Sequence, residues 1–191
     1  MIPKDLFPEE LDVVVQVALH CMERGSVSVA LDICFEYMDT PGMTLGDYAA
    51  FARILRQQNS PERALRLYSR CLDSVKEPKQ RQYLFGEMGL CHEQVAEKEA
   101  GQGTRVMENY RLAALHLREA LHPLRYPGQL EFLVHLINVE LELGEFRKAD
   151  AQLRYVDSAG LSHEMGLPDL HQKLRHVRGK YVYLTGRVPG G

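Results

Sequence analysis

Three stretches of the sequence carry residues whose type and spacing could do chemistry. His92-Glu93 opens the pattern H-E-x-x-H, in which two imidazoles one helical turn apart hold zinc and the glutamate activates water. Residue 96 is alanine, so the second ligand is missing and the pattern fails. Glu119-Ala120-Leu121-His122 supplies one E-x-x-H, whereas a di-iron bundle needs two such pairs and two further inward carboxylates, and no second copy occurs. His163, His171 and His176 are spread over an expected loop and helix and read as solvated. Gly101-x-Gly103 does not follow a strand, so it lacks the setting that cradles phosphate. The four cysteines, Cys21, Cys34, Cys71 and Cys91, show no C-x-x-C spacing and read as reduced thiols acting as small apolar residues. The sequence therefore implies no catalytic residue, no cofactor and no metal, and the chain is expected not to be an enzyme.

The composition narrows the remaining classes. A 191-residue chain with 45% apolar and 26% charged residues suits one domain or one short repeat array. A net charge of −3 gives no basic footprint for nucleic acid. No apolar run approaches the roughly 20 residues of a membrane helix. The opening MIPKDLFPEELD, broken by prolines and acids, does not read as a signal peptide. A cytoplasmic protein with no nucleic-acid or membrane partner is expected.

Hydrophobic periodicity predicts helices over most of the chain. They are expected at Glu9–Arg24, Val27–Met38, Asp47–Gln58, from Pro61 onward, Lys79–Glu99, Thr104–Leu121, Leu130–Leu143, Phe146–Val156 and Pro168 to about Leu184, with a looser Asp157–Leu167. Gly25 suits a left-handed helix end, Ser26 and Ser60 suit helix caps, and Pro61 suits a first helical position. Small residues recur where paired helices must touch. Ala18 and Ala30 return 34 positions later as Ala52 and Ala64. The third hairpin carries about 12 extra residues and is expected to project beyond its neighbours by about 9 Å, if each helix gains roughly six residues at 1.5 Å each.

This period and these residues resemble the tetratricopeptide repeat (TPR), a 34-residue helix–turn–helix unit. Numbering each unit from 1, its small residue at position 8 is matched by Ala18, Ala52, Gly89 and Gly179, with Ile137 as an exception. Position 20 is matched by Ala30, Ala64, Ala113 and Ala149, and the glycine of position 15 by Gly25, Gly144 and Gly186. The expected fold class is all-α: an α-solenoid of about four TPR-like hairpins at 11–42, 45–78, 82–126 (insertion 97–108) and 130–163, closed by a capping helix at 168–186, all in one domain.

The resemblance also implies where a partner sits, because in this family the first helix of each unit lines a concave groove. Carried over position by position, the groove residues are Val15, Leu19, Met22, Arg53, Arg56, Gln57, Tyr83, Leu90, Glu93, Glu131, Val134, Asn138, Leu141, Lys180 and Tyr183. They suggest an apolar trough with two arginines near one end. The first two of these helices carry no inward Lys or Asn, which argues against capture of a peptide's terminal carboxylate. The expected function is a non-catalytic scaffold or adaptor that takes an extended or helical segment of another protein, and the alternative is a chaperone similar to TPR secretion chaperones. Open ends also leave room for a homodimer.

Overall fold

A computed structural model of the chain describes residues 8–37, 40, 44–99, 103–122, 129–159 and 168–189. The lead-in 1–7, the expected tip at 100–102, the breaks around 41–42 and 123–128, and most of the looser segment with His163 lie outside the described residues. Among the described residues there are nine helices and no strand. They are α1 (Pro8–Glu23), α2 (Val27–Tyr37), α3 (Leu45–Gln57), α4 (Pro61–Ser74), α5 (Pro78–Lys98), α6 (Thr104–Leu121), α7 (Leu130–Glu142), α8 (Phe146–Ser158) and α9 (Pro168–Thr185).

The hairpin turns are built the same way three times over. Position 15 is left-handed in units one, two and four, with φ +76° at Gly25, +59° at Asn59 and +72° at Gly144. In each, the next amide reaches back five residues: Ser26 to Cys21, Ser60 to Leu55 and Glu145 to Glu140, all at 2.8 Å. The left-handed residue's own amide donates three residues back, to Met22, Arg56 and Leu141. This Schellman arrangement satisfies the last carbonyls of each first helix and aims the chain into the second. Ser60 sits before α4, but its side chain makes no capping bond; Pro61 does occupy the first helical position. α3 begins two residues earlier than the periodicity suggests. Thr44 and Asp47 form a reciprocal capping box there, with the Thr44 amide donating to Asp47 Oδ2 at 2.7 Å. α8 runs two residues past Val156 to Ser158.

The repeat's small residues are where the helices meet. Ala18, Ala30, Ala52, Ala64, Ala113 and Ala149 are all fully buried. A Cβ on Gly89 of α5 would lie 2.6 Å from Leu117 Cγ of α6, and one on Gly86 would lie 2.2 Å from the Phe132 ring of α7. Gly89 marks a close approach of α6, whose Leu117 backbone nitrogen would lie 3.2 Å from that Cβ, and Gly86 leaves the space that the Phe132 ring fills. Three contiguous cores result. One joins the first two hairpins to α5, a second spans α5, α6 and α7, and a third holds α7, α8 and α9 through Leu170, Leu174, Val177 and Tyr181. Cys34, Cys71 and Cys91 lie in these cores and Cys21 is half-buried; none of the four forms a disulfide. Burial pushes the Cys34 and Cys91 thiols up to about 12 and Cys71 to about 11, so they stay neutral.

α5 and α6, at 21 and 18 residues, are longer than the 13 and 14 of α3 and α4. The extra length does not stand clear as a free arm. Lys98 Nζ, at the end of α5, donates to the Asn59 carbonyl and lies 3.9 Å from Glu62, so that end is tied to the turn of the second hairpin. Inside the long hairpin, the His92 and His116 rings lie 5.2 Å apart, and His116 also stacks on Phe85 at 5.9 Å.

Two outcomes follow from this packing. Ala64→Leu overfills the second hairpin and is expected to cost about 1–3 kcal/mol, read as a lower melting temperature; no change would contradict the close approach at Ala64. Burial, reinforced by His92, pulls the His116 pKa down to about 4 from an ordinary 6.5. The unfolded chain therefore takes up this proton before the folded one. Stability is complete above the unfolded value and falls as pH drops through 6.5 toward 4. The melting temperature should decline from pH 7 to about 5, and His116→Phe, which keeps the stack on Phe85 but cannot titrate, should flatten that decline.

Candidate protein-binding face

The first helices α3, α5, α7 and α9 are joined side by side through polar side chains. On α7, Glu131, His135, Asn138 and Glu142 are spaced four, three and four residues apart, which puts them on one stripe of the helix. Each meets a neighbouring first helix. His135 Nδ1 lies 2.5 Å from Glu93 Oε2 of α5, and Asn138 Nδ2 donates to Glu93 Oε1 at 2.7 Å. From α9, Lys173 Nζ donates to Glu131 at 3.1 Å and approaches His135 Nε2 at 3.2 Å. Lys180 Nζ donates to Asn138 Oδ1 at 2.7 Å and to Glu142. One ring nitrogen of His135 thus faces the Glu93 carboxylate and the other the Lys173 ammonium. A carboxylate orienting an imidazole is the frame of a general base, but here the second nitrogen is already engaged by an ammonium. Further along, Glu87 of α5 is buried and accepts from Arg56 Nε of α3 at 3.0 Å and from Tyr68 OH of α4 at 2.9 Å.

Between α5, α7 and α9 this stripe opens into a cleft of about 710 Å³. Its charged walls are Glu93 and Glu97 from α5, Glu131 from α7 and Asp169 from α9, opposed by Lys173, with His135 and His176 beside them. Val134, Leu170 and Val177 form its apolar floor. Burial and then the charge of Glu93 raise the Glu97 pKa above the usual carboxylate range. At Glu131 burial also acts to raise the pKa, but Lys173 outweighs it and the group is held below that range. The cleft thus concentrates negative charge beside an apolar strip. It can accept a cationic side chain flanked by apolar ones.

The arrangement of helices was compared with known proteins. No protein-family model matches the chain, and no curated protein matches it. Solved structures do. The structure of PilF from Pseudomonas aeruginosa shares 19% sequence identity at a TM-score of 0.57, covering 96% of this chain and 78% of that one. A putative kinesin light chain from Podospora anserina, described as having nearly identical TPR-like repeats, shares 13% identity at a TM-score of 0.56, covering 95% of this chain and 99% of that one. The fold is that of a TPR-like repeat protein.

Within this TPR-like fold the expected groove residues divide into four groups. Val15, Leu90, Val134 and Leu141 are buried in the cores, although an edge of Val134 lines the cleft floor. Leu19 and Met22 are half-buried against the first core. Arg56, Glu93, Glu131, Asn138 and Lys180 are engaged in the junctions just described, and Arg53, Gln57, Tyr83 and Tyr183 are exposed and outside them. The inner face is therefore polar and mainly acidic toward its C-terminal end, not the apolar trough expected from residue types. The apolar members sit at helix positions that also touch the adjacent first helix, and packing takes them. Glu97, His135, Asp169 and Lys173 were not among the expected groove residues. The four-three-four spacing of polar residues on α7 was the signal in the sequence that could have pointed to them. Of the two motif fragments, Glu119 and His122 are exposed at the end of α6, and His92 is bonded to Asn109 at 3.1 Å.

This geometry makes Arg56 a structural residue. Arg56→Ala should leave the Glu87 carboxylate buried with Tyr68 as its remaining partner and cost about 1–3 kcal/mol in chemical denaturation. Replacing Arg56 and Glu87 together with leucine should cost less than the sum of the single changes.

Proposed function

We propose that this chain is a non-catalytic scaffold that binds an extended or helical segment of another protein along the inner face of its first helices. The observation that carries this reading is the acidic cleft between α5, α7 and α9, with four carboxylates against one lysine above an apolar floor. The exposed Arg53 and Tyr83 would contact the segment at one end and the exposed Tyr183 at the other. A basic residue of the partner enters beside Glu97 and Asp169, and neighbouring apolar residues cover Val134, Leu170 and Val177. Long-range attraction to this charge speeds encounter, and the apolar strip slows release. The similarity to the PilF and kinesin light chain structures supports an interaction surface in general and says nothing of the partner.

Affinity capture with mass spectrometry would identify the partner. Binding should then be measured for the wild type and for Glu97→Lys with Asp169→Lys. Both changes fall on exposed positions, so the melting temperature should hold while affinity drops about tenfold or more, and drops less as salt screens the wild type. Undiminished binding by the folded double variant would remove the cleft from the interface.

A further inference from the structure

Among the described residues, α1 and α9 each leave open a face that the other units cover. On α1, Val13 and Val17 are 60% and 46% exposed. In the later units the same repeat positions are Asp47 and Phe51, Leu84 and Met88, and Phe132 and Leu136, and all six are buried. Those positions face the preceding unit, and α1 has no preceding unit among the described residues. On α9 the opposite face is open. Gly179 occupies the close-approach position that Ala18, Ala52 and Gly89 fill under a second helix, yet a Cβ built on it meets nothing within 4 Å. Arg175, Gly179 and Val182, spaced four and three, form one exposed stripe there, with Val182 40% exposed. A cleft of about 670 Å³ beside it, between α8 and α9, is lined by Arg147, Arg154 and Arg187 around Phe146 and Leu184. Asp150 neutralises Arg154, but Arg147, Arg175 and Arg187 have no ion-pair partner among the described residues.

The charges are opposite in sign. α1 contains Glu9, Glu10, Asp12 and Glu23 and no Lys or Arg, while the α9 end presents those three unpaired arginines. We infer that a second copy of this chain docks head to tail, laying its acidic α1 over the open face of α9, with Val13 and Val17 against Gly179 and Val182 and the arginines alongside. The glycine lets the helix axes approach closely, as the small residues do inside each hairpin. The contact is heterologous, so each docked copy offers a fresh tail, and successive copies build a ring where the rotation closes and a filament where it does not. This interface is separate from the inner cleft and does not depend on the function proposed for it.

The test uses the intact chain in sedimentation and light scattering from low micromolar to near-millimolar concentration. The wild type should show an average mass rising above 21.8 kDa with concentration and falling back with added salt. Two variants block one end each: Val13→Lys with Val17→Lys at the head, and Arg175→Glu with Gly179→Glu at the tail. All four positions are exposed, and circular dichroism checks that both variants fold. Each variant should remain at the monomer mass when measured separately, and mixing them should restore association, because an intact head then meets an intact tail. A wild type that stays monomeric throughout overturns the inference. So does association by either variant on its own, which would indicate a symmetric head-to-head or tail-to-tail pairing.

Discussion

How closely the two helices of a hairpin can approach sets everything else in this molecule. Helices whose ridges interlock pack about 8–10 Å apart, and only if side chains at the crossing are small. In the first two hairpins both helices supply an alanine there, at Ala18 and Ala30 and at Ala52 and Ala64, all fully buried. The third uses Gly89 on α5, where Leu117 of α6 fills the space a side chain would need. In the fourth the whole allowance moves to the second helix, since Ile137 is buried opposite Ala149 in one core. Small residues contribute little apolar burial themselves. Their effect is to bring the large residues on either side, such as Tyr68, Leu117 and Leu153, into contact along the full hairpin.

Close approach makes hairpins, but it does not fix their order, because every unit offers a similar pattern of small and large residues. Buried carboxylates supply that information. Glu87 joins α5 to Arg56 and Tyr68 of the second hairpin, and Glu93 joins α5 to His135 and Asn138 of α7. Glu140 joins α7 to Arg118 of α6, and Asp150 joins α8 to Tyr181 of α9. Each junction from the second hairpin onward thus has an acid whose partners lie on an adjacent unit. A slipped or exchanged hairpin would leave such a group buried without its donors, which costs more than the correct pair contributes. Stability in such an array is nearest-neighbour in character, and these acids make each neighbour distinguishable.

The hairpins were legible in the sequence because their signals are local. Helix periodicity, Gly25 and Gly144 at the left-handed position, and alanines 34 apart each follow from contacts within one unit or its nearest neighbour. Asn59 fills the left-handed role in the second unit, where the turn at Asn59-Ser60-Pro61 was visible but its φ was not. The inner face was legible only as a set of positions. Residue type at Leu90 or Leu141 does not say whether a first helix turns that side chain toward the groove or toward the next first helix, since the two directions differ by less than one turn. Nor does a single sequence pair Glu93 with His135, 42 residues away, or Lys173 with Glu131. Those pairings depend on how successive hairpins rotate against each other, which is a property of the stack.

The same inner-face positions therefore serve two masters, and the division follows from whether a polar group is already satisfied. Arg56 and Asn138 stand where the fold family places ligand contacts, yet each holds a neighbouring helix, and withdrawing either would expose a buried glutamate to an unmet demand for donors. Arg53, Tyr83, Glu97, Asp169 and Tyr183 hold no such obligation to a buried acid. Lys173 is intermediate, because its partner Glu131 is exposed and water can replace the bond at little cost. A cationic group arriving in the cleft could displace Lys173 from Glu131 without opening the Glu93–His135 pair beneath. On the function proposed above, recognition on this face falls to the groups that the stacking leaves unspent, in keeping with an acidic cleft at the end of the array where fewer junctions remain to be held.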